Sequence, residues 1–383
     1  MKKFLALAIL PLIFSTNVEA AAVAGEDDWK DLEELEELDS SKPYEIGGKV
    51  KLNRRTLNAP SNYPATFGQN QTTLEGQIDF RLRFASKWYL RGRLQDDYIW
   101  AGGDHDNDFD LKQLYVDGKI GVFEIRGGKI PIFDALNLSS GGLVIDSEII
   151  GGQVRVPIGN FKIIASGGVI DNDDYSLTRV TTIFDTDSTY LSLQTEGDLS
   201  EKISISAGIH NMHNTAGGLT LPNGIPYSPG GQGFFESGTE KNNTVWTAGF
   251  DYHISDDFTF GGIYSGGSAK ITKQAQTLAG ESTDETKSYS VQLTYGHPEI
   301  EEKNNLTSWI AYRQAGRVGS YNPAFHGVGF GERGFEIGAQ YRILKDLSCE
   351  VTYFNGEKIS KISAAESDNP DVKKWYLGVK YEF

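Results

Sequence analysis

The sequence predicts an all-β fold: a transmembrane antiparallel up-and-down β-barrel of about 16 strands. Three observations predict it. Apolar and polar residues alternate in segment after segment, as in Leu74-Gly76-Ile78-Phe80-Leu82-Phe84 against Glu75-Gln77-Asp79-Arg81-Arg83, so one face of each strand meets an apolar medium while the other stays charged. The connections between segments alternate between short and long, as in barrels with tight turns at one rim and long loops at the other. Beyond the N-terminal leader no run of 18 apolar residues occurs and mean hydropathy is −0.37. A helical crossing is therefore excluded, and in lipid only a closed barrel satisfies every backbone group.

The chain opens with Met1-Lys2-Lys3, an apolar run from Phe4 to Phe14, and the small-x-small site Val18-Glu19-Ala20. Residues 1–20 read as a secretory signal peptide cleaved near Ala20. Residues 21–43 form a separate acidic segment, with nine acids against one lysine between Glu26 and Asp39. Trp29, Leu32, Leu35 and Leu38 recur every three residues there, a poor coiled-coil seam, so the segment is a short periplasmic helix or a disordered tail. The barrel then occupies residues 44–383.

Its first strand carries Ile46, Gly48, Val50 and Leu52 on one face, and the second runs from Leu74 to Phe84. After a Ser86-Lys87 turn, Trp88, Leu90, Gly92 and Leu94 oppose Arg91, Arg93 and Gln95. Further segments fall near 109–120, 122–130, 149–158, 161–170, 187–197, 202–212, 244–254, 258–267, 287–296, 305–315, 333–343, 347–356 and 372–383. Lipid-facing sets include Ile203-Ile205-Ala207-Ile209, Trp246-Ala248-Phe250-Tyr252 and Phe335-Ile337-Ala339-Tyr341. In 305–315 the phase is ambiguous, because Trp309 falls opposite Ile310 and Tyr312. Seven short turns and eight long loops place both ends of the barrel at the short-turn rim, which is periplasmic in outer-membrane barrels.

Forty-four glycines, 20 phenylalanines and 18 tyrosines suit many strands with aromatic girdles. A net charge of −16 excludes nucleic acid as a partner. The single cysteine, Cys349, supports neither a disulfide nor a lipid anchor. No cofactor motif occurs. Asp104, Asp106 and Asp108 imitate the start of a calcium loop, but Phe109 and Tyr115 replace the required glycine and glutamate, which leaves a solvated acidic loop or a loose divalent site. His210 and His213 have HxxH spacing, yet on a strand they point to opposite faces. No GxSxG elbow or partnered nucleophile supports a barrel enzyme; an adhesin or structural barrel is the other alternative.

The terminal strand runs Trp375-Tyr376-Leu377-Gly378-Val379-Lys380-Tyr381-Glu382-Phe383. Gly378, Tyr381 and Phe383 resemble the C-terminal signal read by the barrel-assembly machinery. A 16-stranded barrel is too wide for side chains to fill and encloses water unless plugged. Size, terminal Phe383 and eight loops make residues 44–383 similar to the 16-stranded diffusion porins of outer membranes. The resemblance implies passive passage of small hydrophilic solutes and ions, contact with lipid and lipopolysaccharide, a possible homotrimer, and a third loop folded inward.

That loop, 131–148, is unusually apolar and must pack against something, either the lumen wall or a neighbouring subunit. Keeping phase across the 86–87 turn sets Arg83 beside Arg91 and Arg81 beside Arg93, a register that like charges disfavour. With Arg126 and Arg155 these arginines could form a basic wall facing Asp134, Asp146 and Glu148 on the loop, giving a transverse field. Alternatively they are solvated lumen residues paired with Glu75 and Asp79.

Overall fold

A computed structural model describes residues 43–58, 70–101, 107–170, 189–213, 242–268, 284–297, 303–316, 318–321, 323–329, 331–359 and 371–383. The leader, the acidic segment up to residue 42, and Asp104 and Asp106 lie outside them. The strands are β1 (Tyr44–Asn58), β2 (Thr72–Ala85), β3 (Trp88–Ala101), β4 (Asn107–Ile120), β5 (Phe123–Phe133), β6 (Asp146–Ile158), β7 (Phe161–Ile170), β8 (Thr189–Ser200), β9 (Ile203–His213), β10 (Asn242–His253), β11 (Phe258–Gly267), β12 (Lys287–Tyr295), β13 (Leu306–Ala315), β14 (Glu332–Leu344), β15 (Leu347–Lys358) and β16 (Asp371–Glu382). Each pairs antiparallel with its chain neighbours, and β1 pairs with β16, so the sheet is a closed 16-stranded barrel.

Closure follows from the phase of the two end strands. Val50 stands opposite Tyr381 and Leu52 opposite Val379, all on the outer face. Gly48 and Phe383 exchange both backbone hydrogen bonds, at 2.8 and 2.9 Å. The Phe383 ring lies where a Cβ at Gly48 would sit, which makes glycine necessary at this approach.

The outer face is apolar and layered. Near the short-turn rim it carries Tyr252, Phe258, Tyr295, Tyr341 and Tyr381, and near the loop rim Trp246, Tyr264, Tyr289, Tyr312, Phe335 and Trp375. Neighbouring rings touch, as in Phe258–Tyr295 at 5.1 Å, Tyr312–Phe335 at 4.8 Å and Tyr353–Trp375 at 4.5 Å between centroids. Between the girdles lie aliphatic residues such as Leu293, Ile310, Ile337 and Leu377. Two aromatic belts flanking an aliphatic band match a bilayer with its two interfaces.

Three details of phase and register differ from the expectation or complete it. Trp309 points inward, where its Nε1 donates to Glu336 Oε1 at 2.9 Å, so Ile310 and Tyr312 hold the outer face of β13. Between β2 and β3 an irregularity at Arg83/Ala85 slides the pairing, so that Arg81 faces Arg91, Arg83 faces Tyr89 and Asp79 faces Arg93. In place of the two expected arginine–arginine pairs the observed register has one, Arg81–Arg91, and sets an acid opposite Arg93 and a tyrosine opposite Arg83. The third loop is shorter than expected, because β5 extends to Phe133 and β6 starts at Asp146.

Candidate functional site

Two loops fold into the lumen. The first is loop 3, residues 134–145. Its base is closed by Asp134, whose Oδ1 accepts the N–H groups of Val144 and Ile145, both at 2.8 Å. Its tip crosses to the far wall, where the Ser139 N–H and hydroxyl donate to the two oxygens of Asp251 on β10, at 2.6 and 3.0 Å. Gln292 Nε2 on β12 donates to the Ser139 carbonyl at 3.1 Å, and Asn137 Nδ2 donates to the Ile205 carbonyl of β9 at 3.0 Å. The wall makes room: a Cβ on Gly249 would strike Leu138, and one on Gly261 would strike the Ser139 hydroxyl.

Loop 7, residues 316–331, is the second, and the sequence reading did not single it out. Its Tyr321 and Ala324 N–H groups donate to the Val144 and Gly142 carbonyls of loop 3, at 2.7 and 2.8 Å. The Ser320 hydroxyl donates to the Leu143 carbonyl at 2.6 Å. Further along, Phe325 lies under the Arg313 guanidinium at 3.8 Å, and His326 stacks on Tyr376 of β16 at 4.0 Å between centroids. The signals that point to it are glycines at close approaches, Gly267 on the wall beneath Val318 and Gly327 within the loop against Glu336.

Beneath both loops the inner wall turns apolar. Ile130, Ile132, Ile149, Ile170, Tyr190, Met212 and Val245, from β5 to β10, form one buried cluster with Val144, Ile145 and Tyr321. Within it the Tyr190 hydroxyl and His210 Nδ1 lie 2.8 Å apart, and His210 is fully buried while His213 is exposed. This cluster is what the apolar third loop packs against. Burying side chains of this size contributes about 1.5–3 kcal/mol each.

The remaining inner wall is charged and paired. Arg93 Nε meets Asp79 at 2.7 Å, Arg91 Nε meets Asp117 at 2.9 Å, and Arg81 pairs with Glu45. Arg81 and Arg83 also sit over the Tyr89 ring, and Arg126 sits over Tyr115 at 5.3 Å. Arg155 lies 3.1 Å from Glu196 and 3.9 Å from Glu124. Lys49 meets Glu75 at 3.1 Å, and Arg342 meets Glu382 at 3.3 Å. The six arginines thus line the inner wall, but the acids that pair with Arg81, Arg91, Arg93 and Arg155 come from other strands of the wall and not from loop 3. A cavity at this wall is lined by Arg81, Arg91, Arg93, Asp79, Gln113 and Tyr115, among others.

The expected acidic face of loop 3 requires correction. Asp134 is fully buried and its Oδ1 is committed to the loop's own backbone; burial pushes its carboxyl up to about 6 while the N–H donors pull it down. Asp146 and Glu148 pair with Phe133 and Pro131 on β5, between the inward pairs Ile132–Ser147 and Ile130–Ile149, and so point outward. Extending β6 to Asp146 fixes this phase, because side chains on a strand alternate. Gly378 faces inward, and Tyr381 and Phe383 stack at 6.3 Å at the barrel seam. Among the described residues no three His, Cys, Asp or Glu side chains cluster as metal ligands would.

A family model described as "Putative porin" matches residues 246–370. The fold is shared with OmpT of Vibrio cholerae expressed in the outer membrane, at 13% identity and a TM-score of 0.50 over 90% of this chain and 99% of that one. A loop L8 deletion mutant of OmpT matches at 12% identity and 0.50, over 89% and 99% of the two chains. A mutant Rhodobacter blastica porin matches at 9% identity and 0.49, over 89% and 100%. No curated protein matches the chain.

Proposed function

We propose that this chain is an outer-membrane porin through which small hydrophilic solutes and ions diffuse passively, in a water-filled channel narrowed by loop 3 together with loop 7. The observation that carries the reading is the anchorage of Ser139 on Asp251 and Gln292, inside a barrel closed between β1 and β16. A loop that hydrogen-bonds to the opposite inner wall narrows whatever passage the barrel encloses. The two aromatic girdles support a bilayer around the barrel, and the family match over 246–370 agrees with this class of protein.

In this reading the apolar cluster under the loops closes one side of the lumen. The passage runs along the charged wall of β1 to β4 and β14 to β16. Basic and acidic groups there neutralise one another in pairs, so selectivity is weak, with a lean towards anions. Residues 1–20 direct secretion, Phe383 and Gly378 serve assembly by the barrel machinery, and lipid with lipopolysaccharide surrounds the outer face, in a homotrimer or alone.

Single-channel recording tests the proposal. Purified protein in a planar bilayer gives stable ohmic steps, and deleting residues 136–141 raises the conductance. A silent bilayer from correctly folded protein overturns the pore, and unchanged conductance in the deletion overturns the role of loop 3.

A further inference from the structure

We infer that Arg313 on β13 is the positioning residue that holds loops 3 and 7 as one plate and so sets the width of the passage, a role that rests on the pore reading above. Arg313 is 3% exposed. Nε donates to Glu336 Oε1 at 3.0 Å, Nη1 to Ser290 Oγ at 2.7 Å and Nη2 to Gln292 Oε1 at 2.5 Å. Gln292 carries the link onward, because its Nε2 donates to the Ser139 carbonyl at the tip of loop 3. The face of the same guanidinium lies 3.8 Å from the centroid of Phe325 in loop 7. Glu336 completes the bracket: its carboxylate occupies the space where a Cβ at Gly327 of loop 7 would sit.

One cation therefore touches the supports of two loops that meet elsewhere through Val144 and Tyr321. The joint between the loops defines one edge of the plate, and the Arg313 bracket ties its other edge to the wall. Only arginine suits the position, since a planar fork donates in its plane while its face stacks on a ring. Lysine would keep the charge beside Glu336 and lose both the fork and the stack.

The test uses the full chain with Cys349→Ala, and Ser140→Cys as a reporter, because Ser140 is fully buried in loop 3. Arg313→Lys removes the bracket while leaving a cation near Glu336. Gln292→Leu cuts the link to Ser139 and leaves the Arg313–Glu336 pair intact. Both variants are expected to fold as heat-modifiable barrels, with thiol labelling at position 140 faster by about tenfold or more, since each loses at least one charge-assisted hydrogen bond. Their single-channel steps become larger and unsteady. Folded variants with labelling and conductance equal to the parent overturn the inference and leave Arg313 as a merely stabilising wall residue. If the parent itself is silent in bilayers, the pore reading falls, while the labelling rates still decide whether Arg313 ties the loops. Should Arg313→Lys fail to fold, Gln292→Leu decides alone.

Discussion

The backbone N–H of Tyr321 donates to the carbonyl of Val144 at 2.7 Å, and this bond joins loop 7 to loop 3 inside the barrel. Around it the Tyr321 ring enters the same apolar cluster as Val144, Ile145 and Ile149, while its hydroxyl donates to the Asn243 carbonyl at 2.7 Å. A backbone bond inside an apolar cluster is shielded from water, which would otherwise compete for both groups. The two loops are therefore held by a dry core of their own.

Truncating that core gives the first prediction. Tyr321→Phe removes one hydrogen bond and should cost about 1 kcal/mol, whereas Tyr321→Ala empties the site and should cost about 3–5 kcal/mol. Urea unfolding of the barrel in lipid vesicles measures both. The alanine variant should also open loops 3 and 7 to protease without breaking the barrel, because no strand pair depends on Tyr321.

The second concerns pH. Asp134 titrates near 6 in the folded loop, against an ordinary value of 3.8. A raised acid binds its proton more tightly when folded, so its contribution is fully present below the ordinary value. Docking of loop 3 should weaken as pH rises from about 4 to 6 and stay level above that. Asp134→Asn keeps an oxygen that can accept from Val144 and Ile145 but carries no charge, and should flatten the profile. Labelling of a thiol introduced at Ser140, followed from pH 4 to 7, is the measurement; a parallel pH slope in both proteins would refute the assignment.

The third prediction exploits the register of β2 and β3. Arg93 and Asp79 stand opposite one another and pair at 2.7 Å. Arg93→Gln should move the reversal potential in a salt gradient towards cations, and Asp79→Asn towards anions. The double variant should return close to the parent, because the pair contributes little net field. Three unmoved potentials would place the pair away from the narrow part of the pore.

Strand number and barrel closure were legible in the sequence because their signals are local. Period-two alternation in β2, or in β16 from Trp375 to Tyr381, needs no knowledge of a partner, and turn lengths are read directly between segments. Face assignment was less legible. Ile130, Ile132 and Ile149 look like lipid-facing residues, yet they point inward under a loop, and periodicity does not distinguish two apolar surroundings. Register across the 86–87 turn depended on an irregularity at Arg83/Ala85 that hydrophobic pattern does not encode. Asp146 and Glu148 were misplaced for a related reason: a strand starting at 149 leaves their phase undefined, and one starting at Asp146 turns them outward. Loop 7 left only scattered glycines as its trace, because much of what it binds, loop 3 and Asn243 of β10, lies far from it in the chain.

The seam between β1 and β16 also has a meaning in time. Tyr376 donates to Asn53 at 2.7 Å across 323 positions of the chain, and β1 meets β16 from Lys49 to Asn58. While the chain is being made, β1 waits for a partner that emerges last, and any sheet of fifteen strands carries two unpaired edges. Such edges recruit other chains, and pairings this distant form slowly. The nascent barrel must therefore be kept from its neighbours until its final strand is in place, and only then is it self-contained.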